Sequence, residues 1–269
     1  MTAVASPGAA MAQLWDDLTA IAESLEPSQW ELAVPWCPGW SVADLISHLG
    51  GLQTTFNGDP QPDPPPGWVA PPGSGPFDEI MGSMVAARKD WTTGRRLDEL
   101  RQGRQGHIAH LESVRDWTAQ TTGPVGPTTE EGLYRVRSFD VWVHLQDLRE
   151  ALGRPVDVHD TSAAAAAAFT YVLGLVPWMY GKRAGAPDGS TMRVTLGEPV
   201  SHDSVLHVVN GRAVWDADAD AGDCFVTGSP AAFTLLTAGR GSPQRWRDAG
   251  VLDWGGQRGE EFVERGRMF

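Results

Sequence analysis

Cysteine is scarce in this chain: Cys37 and Cys224 are its only two. That is too few for a disulfide framework and fits a reducing compartment. Basic residues are also short, at 21 Lys and Arg against 34 Asp and Glu, for a formal charge of −13. No basic stripe is present to meet phosphates, which excludes nucleic acid as a partner, and an acidic surface disfavours anionic membranes. The amino terminus, MTAVASPGAAMAQLWDD, lacks the basic segment and long apolar core of a secretion signal, so a cytoplasmic protein is expected. Long apolar runs are nearly missing. Residues 163–181 carry no charge, but they are rich in Ala and contain Pro177 and two glycines, which favours a buried helix over a membrane span. No internal repeat is visible. An apolar fraction of 41% with 20% charged residues, over 269 positions, belongs to a globular chain long enough for two domains.

What is present is helical spacing punctuated by proline and glycine. Met11, Leu14, Leu18, Ile21 and Leu25 predict an amphipathic helix from about Pro7, stopped before Pro27. VPWCPGW, at 34–40, is a turn that delivers the chain to Ser41. Ser41 with Asp44 reads as a capping box, and Leu45, Leu49, Leu52 and Phe56 continue as one stripe with His48 on its edge. Residues 58–76, GDPQPDPPPGWVAPPGSGP, support neither helix nor central strand because proline lacks a donor and fixes φ. This is a surface loop or lid, whose Trp68 either covers a pocket or tethers the loop outside the bundle. Residues 77–117 are helical in composition with a break at 92–95, and their charges mark solvated faces. TTGPVGPTT, at 121–129, reads as another loop, and a last helix ends near Gly153 and Pro155. Four such stretches within residues 1–155 predict a four-helix bundle.

Composition changes over residues 156–269. Thr161 or Ser162 caps an Ala-rich helix to about Lys182, then RVTL and SVLHVV read as strands. Asn210-Gly211 joins SVLHVV to RAVW as a type I′ hairpin, where both turn residues need φ > 0. DCFVTG is a further strand, and Ser229-Pro230 opens the helix AAFTLLTAG. The predicted class is therefore α plus α+β, a helix bundle followed by a smaller α+β domain.

The chemistry gathers in RSFDVWVHLQDLREALGR, residues 137–154. At 100° per residue Asp140 and His144 lie one turn apart on the side of Leu133, Val136, Val143, Leu148 and Ala151, with Ser138, Gln146, Arg135 and Arg149 opposite, on the wetter side. A carboxylate and an imidazole inside an apolar stripe need partners, since an unpaired buried charge costs several kcal/mol. Mutual hydrogen bonding is one answer. A divalent cation is another, with His48 from a different helix as third ligand; two His and one carboxylate with an open position describe a catalytic zinc site. Asp147 then either orients His144 through its second ring nitrogen or pairs with Arg137 or Arg149. Cys37 is near enough to His48 to be weighed as a ligand or reactive thiol, but in a Pro-flanked turn it reads as a small buried hydrophobe. His107 and His110 share a charged helix without a partner pattern, His202 and His207 fall in strand-like sequence, and none of these is assigned a role.

WCPGWSVADLISHLGG and, about ninety residues on, FDVWVHLQDLREALG together resemble the mycothiol-dependent maleylpyruvate isomerase family. The resemblance spans nearly the whole chain, weakly in the tail and the Pro-rich loop. It implies a DinB-like metal-binding four-helix bundle with a small α+β domain behind it. It further implies a metal, usually Zn2+, on His48, Asp140 and His144. The characterised isomerase has Glu at the acidic position; Asp140 is one methylene shorter, so that the metal sits deeper, binds more weakly or is met by a shifted helix. The implied cofactor is mycothiol, a low-molecular-weight actinobacterial thiol. Its metal-held thiolate adds to an activated cis double bond, the resulting single bond rotates, and elimination gives the trans isomer. Related members transfer the thiol onto electrophiles instead. An arginine of the carboxy-terminal domain is implied to hold a substrate carboxylate; Arg240 in LLTAGRGSP matches by position, and it reads equally as a cation favoured at a helix C-terminus. The partners implied are thus a small thiol and a small electrophile. A non-catalytic metal- or lipid-binding protein is the remaining alternative.

Overall fold

A computed structural model describes residues 6–124 and 126–268. The chain forms two compact units that divide after Val156. In the first, α1 (Pro7–Glu23) starts where the Ser6 hydroxyl accepts from the Ala9 amide at 3.2 Å and Pro7 fills the first helical position, whose N–H has no intrahelical partner in any case. A short 3-10 turn, Pro27–Glu31, follows. The WCPGW segment is then closed by a bridge between Ala33 and Ser41 and by three successive turn hydrogen bonds: Val34 N to Trp40 O, Cys37 N to Val34 O, and Trp40 N to Cys37 O. Ser41 and Asp44 make the expected capping box at the head of α2 (Val42–Phe56), each side chain accepting from the other's amide.

The stretch after the Pro-rich loop splits into α3 (Pro76–Ala86) and α4 (Thr93–Ser113), the latter capped by Thr92. Residues 121–129 differ from expectation, although Val125 itself lies outside the described residues. Gln120–Gly123 (β1) and Gly126–Thr129 (β2) pair antiparallel, so the loop is a short hairpin. Pro124 sits beyond the ladder, and the hairpin has no third strand, so Pro127 removes a donor the fold does not need. Thr129 caps α5 (Glu130–Ala151), which ends before Gly153 at φ 64°.

The loop at 58–75 is tied down near its start. Arg88, fully buried, donates to Glu99 at 2.7 and 2.6 Å and to the Gln61 side chain at 2.6 Å, and Gln61 reaches Thr54 at 3.2 Å. Gly51 makes room for it, since a Cβ there would lie 2.7 Å from the Arg88 guanidinium carbon. Trp68 packs on α3 opposite Gly82, which is the tethering role.

The wetter side expected for α5 does not exist along its middle. Ser138 and Gln146 are as inaccessible as Val141 and Leu145. The helix contacts α1, α2 and both hairpin strands, and an enclosed helix has no solvated face for its polar residues to mark. Ser138 satisfies itself by donating to the Tyr134 carbonyl at 2.8 Å.

In the second unit, α6 (Ala163–Trp178), capped by Ser162, continues through a π turn at Met179–Arg183. Five strands follow: β3 (Thr191–Leu196), β4 (His202–Val209), β5 (Arg212–Trp215), β6 (Phe225–Gly228) and β7 (Leu252–Gly255). They order β5-β4-β3-β6-β7, antiparallel except for β3 beside β6. Asn210 and Gly211 take φ 52° and 73°, the type I′ turn expected. Ser229 caps α7 (Pro230–Thr237), and the shorter α8 (Pro243–Asp248) and α9 (Gly256–Arg265) complete the unit, with Phe262 stacked on Phe233 at 5.9 Å. The architecture is the expected helical unit followed by α+β. One described helix, Ala163–Arg183, is long and apolar enough to cross a membrane by length and composition, at a mean hydropathy of 1.4. Its Ala165, Ala168, Phe169, Val172 and Val176 are nevertheless buried.

One buried contact in the first unit carries a pH signature. Trp15, wholly buried, donates from Nε1 to His107 Nδ1 at 3.1 Å. Burial, helped by the Arg137 charge, pushes the His107 pKa down to about 3 from 6.5. The unfolded chain therefore takes up this proton first. His107 contributes fully to stability above about pH 6.5 and loses that contribution as pH falls toward 3, at no more than about 1.4 kcal/mol per pH unit. Urea unfolding from pH 7 to 4.5 should show His107→Gln, which still accepts from Trp15, losing less stability over that range than the wild type. Parallel curves would refute the assignment.

Candidate metal centre

His48 stands in the middle of α2, seven residues beyond the Ser41 cap, and Asp140 and His144 stand one turn apart on α5. The fold brings these three together. Asp140 Oδ1 lies 3.6 Å from His48 Nε2 and 3.6 Å from His144 Nε2, and the three donor atoms all fall within 4.8 Å of one another. A tetrahedral zinc site with bonds of about 2.0–2.1 Å has ligand–ligand edges of about 3.3 Å, so the two edges through Asp140 are within a few tenths of that size.

The polarity of the site is not self-satisfied. Both ring nitrogens of His48 are buried with no hydrogen-bond partner among the described residues. An imidazole left so costs about 1–3 kcal/mol for each orphaned group. Burial lowers the His48 pKa, and although Asp140 works in the opposite direction the ring stays biased toward its neutral, ligating form. Asp140 is held as a carboxylate: burial alone would raise its pKa, but the Arg137 guanidinium and the two imidazoles keep it well below the usual range. Arg137 Nη1 donates to Asp140 Oδ2 at 2.7 Å, and its Nε donates to Gln53 Oε1 at 3.1 Å. One carboxylate oxygen is thereby spent on Arg137 and the other faces the imidazoles.

His144 divides its two nitrogens. Nδ1 lies 2.7 Å from Asp147 Oδ2, and Asp147 is completely buried. Burial works against a charged ring, but Asp147, with Cys37 and Asp140, raises the His144 pKa to about 10. That shift favours a doubly protonated ring when no cation is bound; the geometry, independently of it, directs the Nδ1 proton to Asp147 and Nε2 to Asp140, the orientation in which a cation would displace the Nε2 proton. Of the roles open to Asp147 in the sequence, the contact to His144 is present, and the Nε and Nη1 donors of Arg137 are directed to Gln53 and Asp140 instead.

Two residues to which the sequence assigns no role at the centre border it. Cys37 Sγ donates to Asp147 Oδ2 at 3.2 Å and lies 4.0 Å from His144 Nδ1. Its surroundings are polar, which corrects the reading of an apolar thiol. Cys37, His144 and Asp147 also bring their donor atoms within 4.8 Å of one another. That second group is already occupied by its own hydrogen bonds, whereas the His48 group contains orphaned nitrogens, so the latter is the better-founded cation site. Trp40 is the other: its ring is 5.0 Å from that of His48 and nearly parallel to that of His144 at 6.4 Å. Both stand on the WCPGW turn. Only the turn's folded course, pinned at Ala33 and Ser41, reveals that they face the imidazoles.

Arg240 lies in the second unit just past α7. It is buried, with its amide donating to Leu235 O at 2.7 Å and its Nη1 to Ala238 O at 2.6 Å, while its own carbonyl accepts from Trp246 Nε1. The other histidines set aside in the sequence have local partners: His107 with Trp15, His110 with Glu130, His202 with Trp215 and His207 with Asp216.

Residues 11–149 match the profile of a protein family described as the mycothiol maleylpyruvate isomerase N-terminal domain. Among solved structures, a histidine-to-alanine mutant of the mycothiol-dependent maleylpyruvate isomerase is similar at 17% identity, covering 93% of this chain and 91% of that one, with a TM-score of 0.54. A second structure of the mycothiol-dependent maleylpyruvate isomerase is 18% identical over 88% of this chain and 89% of its own, with a TM-score of 0.53. At these identities the likeness is one of fold. None of the curated proteins compared matches the chain.

The Arg137–Asp140 pair yields a stability test. Replacing Arg137 by Met leaves Asp140 without its hydrogen-bonded cation and should cost about 3–5 kcal/mol in urea unfolding of metal-free protein. Gln53→Leu, which removes a neutral acceptor, should cost about half as much. Equal costs would mean that the ion pair is not what stabilises this part of the fold.

Proposed function

The chain belongs to the family of the mycothiol maleylpyruvate isomerase N-terminal domain, and from that premise we propose that it is a metal-dependent enzyme that uses a small thiol, mycothiol, on a small electrophile. The observation that carries the metal is the convergence of His48, Asp140 and His144 around two orphaned His48 nitrogens. A buried site of two imidazoles and one carboxylate suits a divalent ion of the zinc type and leaves it an open position. In this reading His48 Nε2, Asp140 Oδ1 and His144 Nε2 hold the ion. A divalent ion there would lower the pKa of a coordinated thiol, so that the thiolate nucleophile exists at neutral pH.

The chain's own residues do the rest. Asp147 keeps the His144 ring turned with Nε2 inward, and Arg137 takes the second Asp140 oxygen so that the first remains directed at the imidazoles. Trp40 packs its ring beside both imidazoles, tilted to His48 and nearly parallel to His144. The reaction we propose is cis–trans isomerisation: the thiolate adds to a cis double bond conjugated with a carbonyl, the carbon–carbon bond becomes single and rotates, and expulsion of the thiolate restores the double bond as trans. No electrons are gained or lost and the thiol is regenerated. Arg240 is the proposed partner of a substrate carboxylate, and its burial supports that role because a desolvated guanidinium binds carboxylates more strongly than an exposed one. A reducing, cytoplasmic setting is part of this reading and rests on the scarcity of cysteine in the sequence.

Metal analysis of the purified protein should give about one equivalent per chain, lost in folded His48→Ala and His144→Ala variants. Wild-type protein that is metal-free and unable to take up zinc would overturn the proposal. The reaction is read separately, by incubation with mycothiol and maleylpyruvate. Isomerisation leaves the free thiol constant, whereas its stoichiometric consumption would establish S-transfer onto an electrophile instead. Arg240→Lys should raise KM for a carboxylate substrate about tenfold or more, with a smaller change in kcat. An unchanged KM would return Arg240 to a purely structural role.

A further inference from the structure

Beside Arg137 the first unit contains a cavity of about 90 Å3 that no step of the proposed chemistry uses, and His48, Asp140 and His144 are not among its lining residues. It is lined by residues of α2, α4, α5 and β1, with Asn57 at the end of α2. A single water needs about 10–15 Å3 of such space, so this cavity admits several waters or a small solute.

The distribution of donors and acceptors around it is one-sided. Arg137 is about 1% exposed, and its Nη2 has no hydrogen-bond partner among the described residues, although Nε and Nη1 are both engaged. An unused guanidinium donor in a buried setting is costly unless an acceptor meets it. His107 lines the same cavity. Because its Nδ1 accepts from Trp15 and the ring stays neutral, the proton of this tautomer resides on Nε2, a second donor. The two carboxamide acceptors nearby are already taken. Gln53 Oε1 accepts from Arg137, Asn57 Oδ1 from Gln53, and the Glu130 carboxylate, a counter-charge on the wall, lies 2.8 Å from His110. The cavity therefore offers hydrogen bonds and asks for acceptors. Gln53 and Asn57 act as a relay that fixes the guanidinium, Asn57 in turn donating to Gly103 O at 3.3 Å, and the Phe56 ring lies 5.5 Å from its carbon.

We propose that this cavity is a binding site for a small carboxylate anion, of formate or acetate size, held by Arg137 Nη2 and His107 Nε2. A carboxylate presents two acceptor oxygens and no donor, the complement of what the walls leave open. Its charge would also answer the guanidinium, whose one ion-pair partner, Asp140, is turned toward the imidazoles. The site stands on residues of the first unit alone and does not depend on whether the neighbouring centre holds a metal.

The test is a thermal-unfolding titration of the full chain with sodium formate and sodium acetate at constant ionic strength, in metal-stripped and zinc-supplemented protein. Pivalate, a carboxylate too bulky for the cavity, serves as control. A saturable rise of about 5 °C at a hundredfold excess over Kd is expected in both forms, and none with pivalate. The response should persist in His48→Ala and vanish in Leu133→Trp, which fills the cavity from α5. Because that variant changes packing, an NMR titration of 13C-labelled formate against wild-type protein provides a second reading, with line broadening that saturates at one site per chain and is unchanged by zinc. Absence of saturation, an equal effect of pivalate, loss of the response in His48→Ala, or its survival in a folded Leu133→Trp would each overturn the proposal.

Discussion

The first unit depends on keeping a carboxylate ionised inside protein. Asp140 sits where burial opposes its charge, between two imidazoles, and what holds it there is the Arg137 guanidinium, itself almost fully buried. Buried ion pairs of this kind are weak contributors to stability in comparison with well-packed apolar residues, because desolvation offsets most of their attraction. Their retention at one place in a core therefore needs another reason. Here the pair orients: Arg137 fixes one oxygen of Asp140, Gln53 fixes Arg137, and the remaining oxygen is directed at two nitrogen donors. The same logic repeats on the far side of His144, where Asp147 fixes Nδ1 and Cys37 donates to Asp147. Asp140 Oδ1 and His144 Nε2 are thus each set by a hydrogen bond on the other side of their own side chain, whereas His48 has no such partner among the described residues.

Much of this was legible in the sequence, for physical reasons that particular residues illustrate. Asp140 and His144 announce themselves because helical periodicity converts a spacing of four into a shared face, and His48 because the Ser41–Asp44 capping box fixes where α2 begins. The Asn210-Gly211 hairpin was equally plain, since few dipeptides tolerate two positive φ angles. What escaped notice depends on tertiary course. Periodicity presumes that a helix has a wet side, and it fails for Ser138 and Gln146 because α5 has none along its middle. Cys37 and Trp40 belong to a turn whose direction is set by a bridge between Ala33 and Ser41, a contact that has no periodic signature. The hairpin at 120–129 reads as a loop in sequence because two glycines and two prolines are gathered at its centre. Packing against α5 and the cap at Thr129 hold it in place.

Placement of the Pro-rich segment teaches a similar lesson. Its composition excludes helix and central strand but says nothing about attachment. Attachment comes from Arg88, whose charge is shared between Glu99 and Gln61, and from a Trp68 ring against a helix that has glycine at the point of contact. An arginine in one connection thus secures another connection 27 residues earlier.

That Arg137, Asp140, His144 and Asp147 all stand on one continuous helix has a consequence for how the gene can change. Each residue of an α-helix turns the next by about 100°, so inserting or deleting a single codon anywhere between positions 137 and 147 would swing every later member of the set away from its partner at once. Substitutions can be accepted there one at a time, but changes of length cannot. The segment at 62–75 is under no such rule: beyond Gln61 its length can vary while Arg88 keeps its grip. Divergent copies of this protein would therefore be expected to differ in the number of residues in that loop and never in the count between the guanidinium and the last carboxylate.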